Sequence, residues 1–384
     1  MTRSLRPAVI AALSLLPLLC SAALRADSAA ADKALQAALA KTKTGDYAGA
    51  LALLEPFRKD PSAGARALSM LGVLYLETGK PGDALAVLKP LADPATAEPA
   101  VLYNAGRAAL ATGDVKLAES YFVRSMKAAP QGSPAMRELG MLYAAQGKVV
   151  EAYKLLYPYA AAYPEETEAR TMAALMALRI GRPAEAERLI VGLNPDNPAV
   201  RLLHGGVAVA AGDGKGALEI LAPIATTHSP AMDVDYRKTM AEAHLLNGDP
   251  KAAIAVLTAK PTNTPTLQLL LATAERQSGD AAKALATLKP LADLLPEGPQ
   301  GLPDPRIGSS VALEYGRALV ATNAAAQALP WFEKATRINP LSRPAWNALA
   351  DAYERAQRKD DATAARAKAD ALKPKPAPAA PAKQ

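Results

Sequence analysis

Three histidines, His204, His228 and His244, are the side chains best placed by type to move protons or hold a metal near neutral pH. A zinc-like site needs further ligands at short spacing, and none of the three has a cysteine or carboxylate partner at such a spacing. The stretch HGGVAVAAGDGKG at 204–216 is rich in glycine and carries Lys215, as phosphate-binding loops do. It lacks both the preceding strand and the G-x-x-x-x-G-K-[ST] spacing that would let backbone amides cradle a phosphate. Neither G-x-S-x-G nor H-E-x-x-H occurs, so a nucleophile elbow and a metalloprotease helix are both missing. These residues do not assemble into an enzyme, and no metal or cofactor is expected.

The elements that would have to position any site are helical. Half of the 384 residues are hydrophobic but only 4% are aromatic. Alanine and leucine carry the apolar content, and both favour helix, whereas β-branched and aromatic runs suited to strands are scarce. The formal net charge is +7, yet Arg3, Arg6 and Arg25 at one end and Lys373, Lys375 and Lys383 at the other supply six of those charges. The body is close to neutral and has no basic stripe to replace counterions on a phosphate backbone, so nucleic acid is not an expected partner.

Residues 1–26 read as a cleavable signal peptide. Arg3 and Arg6 precede an apolar run, AVIAALSLLPLL, from Ala8 to Leu19, and small residues follow. Cleavage is expected after Ala23 or Ala26. The run is shorter than the roughly 20 residues of a membrane span and is broken by Pro17. A periplasmic or secreted protein is the expectation; lipidation at Cys20, the single cysteine, and an uncleaved anchor are the less favoured variants.

A periodic pattern organises the rest of the chain. Gly45, Gly79, Gly113, Gly147 and Gly181 fall 34 residues apart; Gly212, Gly248, Gly279, Asn323 and Gln357 continue the series at less regular intervals. An alanine stands five residues after every marker, and a small residue stands seven before nearly all of them. Apolar residues at helical spacing precede each marker, and a second amphipathic stretch follows it, often closed by proline. Each interval is therefore predicted to be a helix–turn–helix, with the smallest side chains where the two helices approach most closely. Residues 31–295 hold eight such repeats and residues 311–373 hold two more with a capping helix. Residues 296–310 are predicted to be an inserted Gly/Pro-rich loop, and 374–384 an extended Pro/Ala/Lys tail.

Leu139, Gly140, Tyr143, Gly147, Ala152, Leu156, Tyr159 and Pro164 give this pattern in full, and Trp346, Leu349, Ala350 and Tyr353 give it again near the end. The sequence here resembles the tetratricopeptide repeat family, of the exported bacterial type. At repeats five to eight Ala177, Ala208, His244 and Glu275 replace the family's tyrosine. The resemblance implies an all-α, right-handed superhelical solenoid of about ten repeats whose inner groove is lined by the first helix of each. It implies Tyr103, Asn104 and Arg107 from repeat three as groove residues. Repeats four to six add Arg137, Glu138 and Met141, then Met172 and Leu175, then Leu202 and Leu203. The groove is expected to run from polar and partly basic to apolar, although the spacing of these leucines suits an inter-repeat core equally well.

The implied function is an exported, non-catalytic scaffold that binds a protein or peptide segment in that groove. The alternative is a structural subunit of a cell-envelope assembly, such as polysaccharide-export or outer-membrane biogenesis machinery. The carboxylate clamp of cytosolic family members is missing: Asn104 fits it, but Ser69, Val73, Pro134 and Glu138 occupy its other positions. Few aromatics line the expected groove, which disfavours sugar stacking.

Overall fold

The computed structural model describes residues 29–60, 63–129, 133–261, 264–295 and 305–372. The expected signal peptide with Cys20, residues 296–304 of the expected loop, and the tail lie outside them. Among the described residues the regular structure is entirely helical, and no helix is long and apolar enough to cross a membrane.

The helices form ten consecutive pairs in two compact units divided after Val191. The first unit pairs α1 (Ala29–Lys43) with α2 (Tyr47–Leu54), α3 (Gly64–Glu77) with α4 (Pro81–Ala92), and α5 (Pro99–Ala111) with α6 (Val115–Ala128). It ends with α7 (Pro134–Ala145) and α8 (Val149–Ala162), then α9 (Thr167–Arg179) and α10 (Pro183–Ile190). The second unit pairs α11 (Pro198–Ala210) with α12 (Gly214–Leu221), α13 (Asp233–Leu246) with α14 (Pro250–Thr258), and α15 (Pro265–Gln277) with α16 (Ala281–Ala292). It closes with α17 (Pro305–Ala321) and α18 (Ala325–Ile338), then α19 (Arg343–Arg355) and α20 (Lys359–Ala371). Each unit is a solenoid-type stack in which every pair packs on the next.

All ten turns are built alike. The marker residue has a left-handed φ in every pair, including Asn323 at 61° and Gln357 at 59°. The residue after it donates its N–H to the carbonyl four before the marker, as Lys80 to Tyr75 at 2.8 Å and Arg358 to Tyr353 at 2.9 Å. This closure satisfies carbonyls that the end of the first helix leaves orphaned. In five pairs an aspartate follows the glycine and caps the second helix, as when Asp114 accepts from the Leu117 N–H at 3.0 Å and Asp213 from that of Gly216 at 2.8 Å. Such a cap is worth about 1 kcal/mol.

The close approach inside each pair is visible at the small residue seven before the marker. A Cβ on Gly106 would sit 2.5 Å from the Phe122 ring, and one on Gly140 would sit 2.7 Å from Leu156. The alanine five after each marker is buried in all ten pairs. The core therefore runs lengthwise through each stack, with Leu71, Leu88, Leu102 and Tyr121 in the first unit and Leu288, Val311, Phe332 and Leu349 in the second.

The loop expected over 296–310 does not reach residue 310. Residues 305–310 belong to α17, whose helix starts at Pro305. Proline at a first helical turn loses no hydrogen bond and has φ preset for helix, so Pro305 begins an element here instead of excluding one. Ser309, inside the expected loop, is buried and its Oγ donates to the Ala335 carbonyl at 2.9 Å.

Candidate functional site

In the first unit, five of the expected groove residues form one polar cluster. Arg107 on α5 pairs with Glu77 at the end of α3 at 3.1 Å, and its guanidinium lies over the Tyr103 ring, 5.8 Å from the centroid. Tyr103 and Asn104 are buried. The Asn104 side chain donates to the Ala100 carbonyl at 3.0 Å and accepts weakly from Arg107 at 3.5 Å. Both residues hold Arg107 in place more than they reach solvent.

On α7, Arg137 pairs with Glu138 at 2.7 Å, with Glu166 at 3.4 Å and with Glu168. Burial alone would lower the Arg137 pKa, but Glu138, Glu168 and Glu166 outweigh it and the net direction is upward. The Tyr103 hydroxyl is pushed up to about 12, first by burial and then by the Glu138 carboxylate. The stretch that reads as partly basic in sequence is thus neutralised: two arginines face Glu77, Glu138, Glu166 and Glu168. Met141 on α7 and Met172 and Leu175 on α9 are half-buried and keep apolar surface available.

In the second unit, Leu202 and Leu203 on α11 are buried, Leu202 with Leu221, Ile224 and Tyr236. This is the inter-repeat packing that their spacing equally allows. His204 and His244 are half-buried. His228 stacks on Tyr236 with centroids 4.2 Å apart; its ring nitrogens lie 2.8 Å from the Ile224 carbonyl and 3.4 Å from Asp233. That histidine is held by packing and hydrogen bonds, and among the described residues no cluster of ligating side chains accompanies any of the three.

The feature that repeat spacing did not single out lies at the end of this unit. A cavity of about 810 Å³ is lined by Arg276 of α15, by Arg317, Val320 and Ala321 of α17, by Phe332 of α18, and by one face of α19. That face carries two ladders at i, i+4 spacing: Arg343, Asn347, Asp351 and Arg355, beside Pro344, Ala348 and Ala352. Small residues in the second ladder leave room above the buried Phe332. Arg276 pairs with the buried Glu314, and Arg317 lies 3.6 Å from the same carboxylate. Asp351 is paired with Arg366 at 2.9 Å. Arg343 and Arg355 are exposed and have no carboxylate within ion-pairing distance among the described residues. The cavity wall therefore carries a net positive charge over an apolar floor. The signal was present in the sequence as RPAWNALADAYER, with arginines twelve apart on one helical face.

Two further arginines serve the fold. Arg170 on α9 donates to the Leu189 and Val191 carbonyls at 2.9 and 2.6 Å, closing the short helix α10. Arg237 on α13 is buried and donates to the carbonyls of Val256, Leu257 and Lys260 at the end of the short α14. Both stand eleven residues before their marker, so aligning the repeats on the marker would have found them.

The tetratricopeptide repeat family model matches residues 35–99 and 103–167, which spans most of the first unit. These segments are tetratricopeptide repeats. No curated protein sequence matches the chain. Among solved structures, the Cut9 and Hcn1 hetero-tetramer of APC/C is similar at 16% identity over 96% of this chain and 69% of that one, with a TM-score of 0.46. MamA is similar at 23% identity over 40% of this chain and 89% of its own, with a TM-score of 0.35. A human IFIT1 dimer with PPP-AAAA aligns at 15% identity over 94% of this chain and 93% of that one, with a TM-score of 0.43.

Proposed function

We propose that this protein is an exported, non-catalytic scaffold that holds a segment of a partner protein against the first helices of its repeats. The observation that supports this most directly is the open cavity over α15, α17 and α19, whose exposed Arg343 and Arg355 form no ion pair among the described residues. Exposed guanidiniums without an ion-pair partner among the described residues, on a stack of helices, are available to a ligand. Its volume falls in the range of binding clefts, roughly 300–1,000 Å³. The half-buried Met141, Met172 and Leu175 offer a second, apolar surface whose flexible methionines adapt to irregular partners. Export is supported by the charged start, the apolar Ala8–Leu19 run and the small residues after it.

A photo-crosslinking residue placed at Met172 or Asn347 in the full chain, in intact cells, tests the reading. Discrete protein adducts, lost from the Met172 site in a Met141→Asp, Leu175→Asp variant that still folds, are expected. Absence of protein adducts from both sites would end it. Adducts that co-purify as one stoichiometric envelope complex would instead favour the structural-subunit alternative.

A further inference from the structure

We infer that the cavity of the last three repeats takes a short acidic segment of a partner protein, with carboxylates at its two ends and neutral residues between them. The inference rests on the scaffold reading above and adds the chemistry of the occupant and the residues that select it.

Arg276 and Arg317 share a single carboxylate, Glu314, and Arg343 and Arg355 have none among the described residues. Lone guanidiniums at the rim of a concave site are satisfied by water until an anion arrives, and a planar fork is the geometry that receives a carboxylate in two bonds. Position then refines the partner. Arg343 and Arg355 are twelve residues apart on α19, which places them about 18 Å apart along the helix at 1.5 Å per residue. An extended peptide covers that span in about five or six residues at roughly 3.3 Å each.

Between the two arginines the wall changes character. Asn347 offers an amide, and Asp351, although paired with Arg366, is itself a carboxylate. A ligand with charge at every step, such as a nucleic acid strand or a polyphosphate, would set one anion against Asp351. A peptide with acidic ends avoids that, and its backbone N–H groups can donate to Asn347 and Asp351. Beneath, Val320, Phe332, Ala348 and Ala352 form an apolar floor that suits an aliphatic side chain at the centre of the segment. An acidic–aliphatic–acidic peptide meets every one of these demands.

The test is fluorescence anisotropy on the full-length protein with labelled six-residue peptides, Asp-Ala-Leu-Ala-Ala-Glu and its Asn/Gln counterpart. The acidic peptide is expected to bind, to weaken as salt rises, and to exceed the neutral peptide by about tenfold or more. An Arg343→Glu, Arg355→Glu variant is expected to lose at least as much while nearly keeping its thermal melt, because both residues are exposed, form no ion pair among the described residues, and lie at opposite ends of α19, where the two charge reversals act in opposite senses on the helix dipole. Equal binding of the two peptides, or an undiminished affinity in the double variant, overturns the inference. Displacement of the peptide by a short oligothymidylate at lower concentration than by unlabelled peptide also overturns it, in favour of a general polyanion site. If the acidic peptide fails while crosslinking from Met172 still captures a protein, the scaffold reading stands and only this assignment falls.

Discussion

Arg137 in the first unit and Arg343 in the second both project from first helices, α7 and α19. One is ringed by Glu138, Glu166 and Glu168; the other meets no carboxylate among the described residues. Arg107, similarly, is tied to Glu77, whereas Arg276 and Arg317 must divide Glu314 between them. At these positions the same residue type thus serves opposite ends. In the first unit, arginine stitches neighbouring repeats together. In the second, the surplus is left facing an open cavity. An arginine on a groove helix marks a binding site only when its counter-charges have been counted.

The largest effect that would separate these roles is expected from Arg137→Ala. It strands Glu138 and Glu166, both mostly covered, and should cost about 2 kcal/mol in urea unfolding. A neutral result there would erase the contrast. Next, Glu314→Gln removes a buried carboxylate that two arginines share. Stability is expected to drop by about 1.5 kcal/mol, while affinity for an acidic peptide rises several-fold as the released charge turns to the cavity. Loss of both stability and affinity would show that Glu314 shapes the site more than it competes with the ligand.

A third change probes a closed network inside the second unit. Asp233 pairs with Lys260 at 2.6 Å, with Arg237 at 3.5 Å and with His228 at 3.4 Å. Burial raises its pKa, but the bonds from Lys260 and His228 outweigh that and hold it below the ordinary value. A depressed folded pKa means the stabilisation is present above the unfolded value, about 3.9, and is lost as pH falls through the folded one. Asp233→Asn should therefore be less stable than wild type by about 1 kcal/mol at neutral pH, with the gap closing in acid. A gap that persists below the folded pKa would assign the loss to packing.

Smaller still is the effect of the turns. All five markers of the first unit are glycine, but the second unit ends on Asn323 and Gln357 at positive φ. Gln357→Gly should add roughly 0.5–1 kcal/mol by relieving a left-handed side chain, and the corresponding glycine-to-glutamine change at Gly147 should subtract a similar amount. Thermal melts of the pair decide it. Smallest of all, Arg343→Ala should shift stability by no more than about 0.5 kcal/mol, since it is exposed and forms no ion pair among the described residues. A loss as large as that from Arg137→Ala would place Arg343 in the fold and close the cavity argument.

Most of the architecture could be read from the chain because the turn leaves a local imprint. A positive φ selects glycine, a close helix contact selects Gly or Ala seven positions earlier, and the second helix answers with alanine five positions later. Asn323 and Gln357 were recoverable from those neighbours even without glycine. Pro305 misled because proline marks helix starts as readily as breaks. The site was less legible. Whether Arg137 is neutralised depends on Glu166 and Glu168, which lie about thirty residues away and meet it only after the repeats stack. Leu202 and Leu203 fit a groove and a core at one and the same spacing, and only the packing of α11 decides for the core.

The hydrogen-bonded closure at every marker also explains how this chain tolerates uneven spacing. Each hairpin is completed by atoms within six residues of backbone, so nothing in its geometry depends on how much chain separates it from the next. Intervals of 31, 36 and 44 residues can then sit in one protein without disturbing a joint. Length is added or removed at the crossings between hairpins, where Arg170 and Arg237 seal truncated helices. Such a chain can be lengthened or spliced at those crossings while its hairpins keep their form.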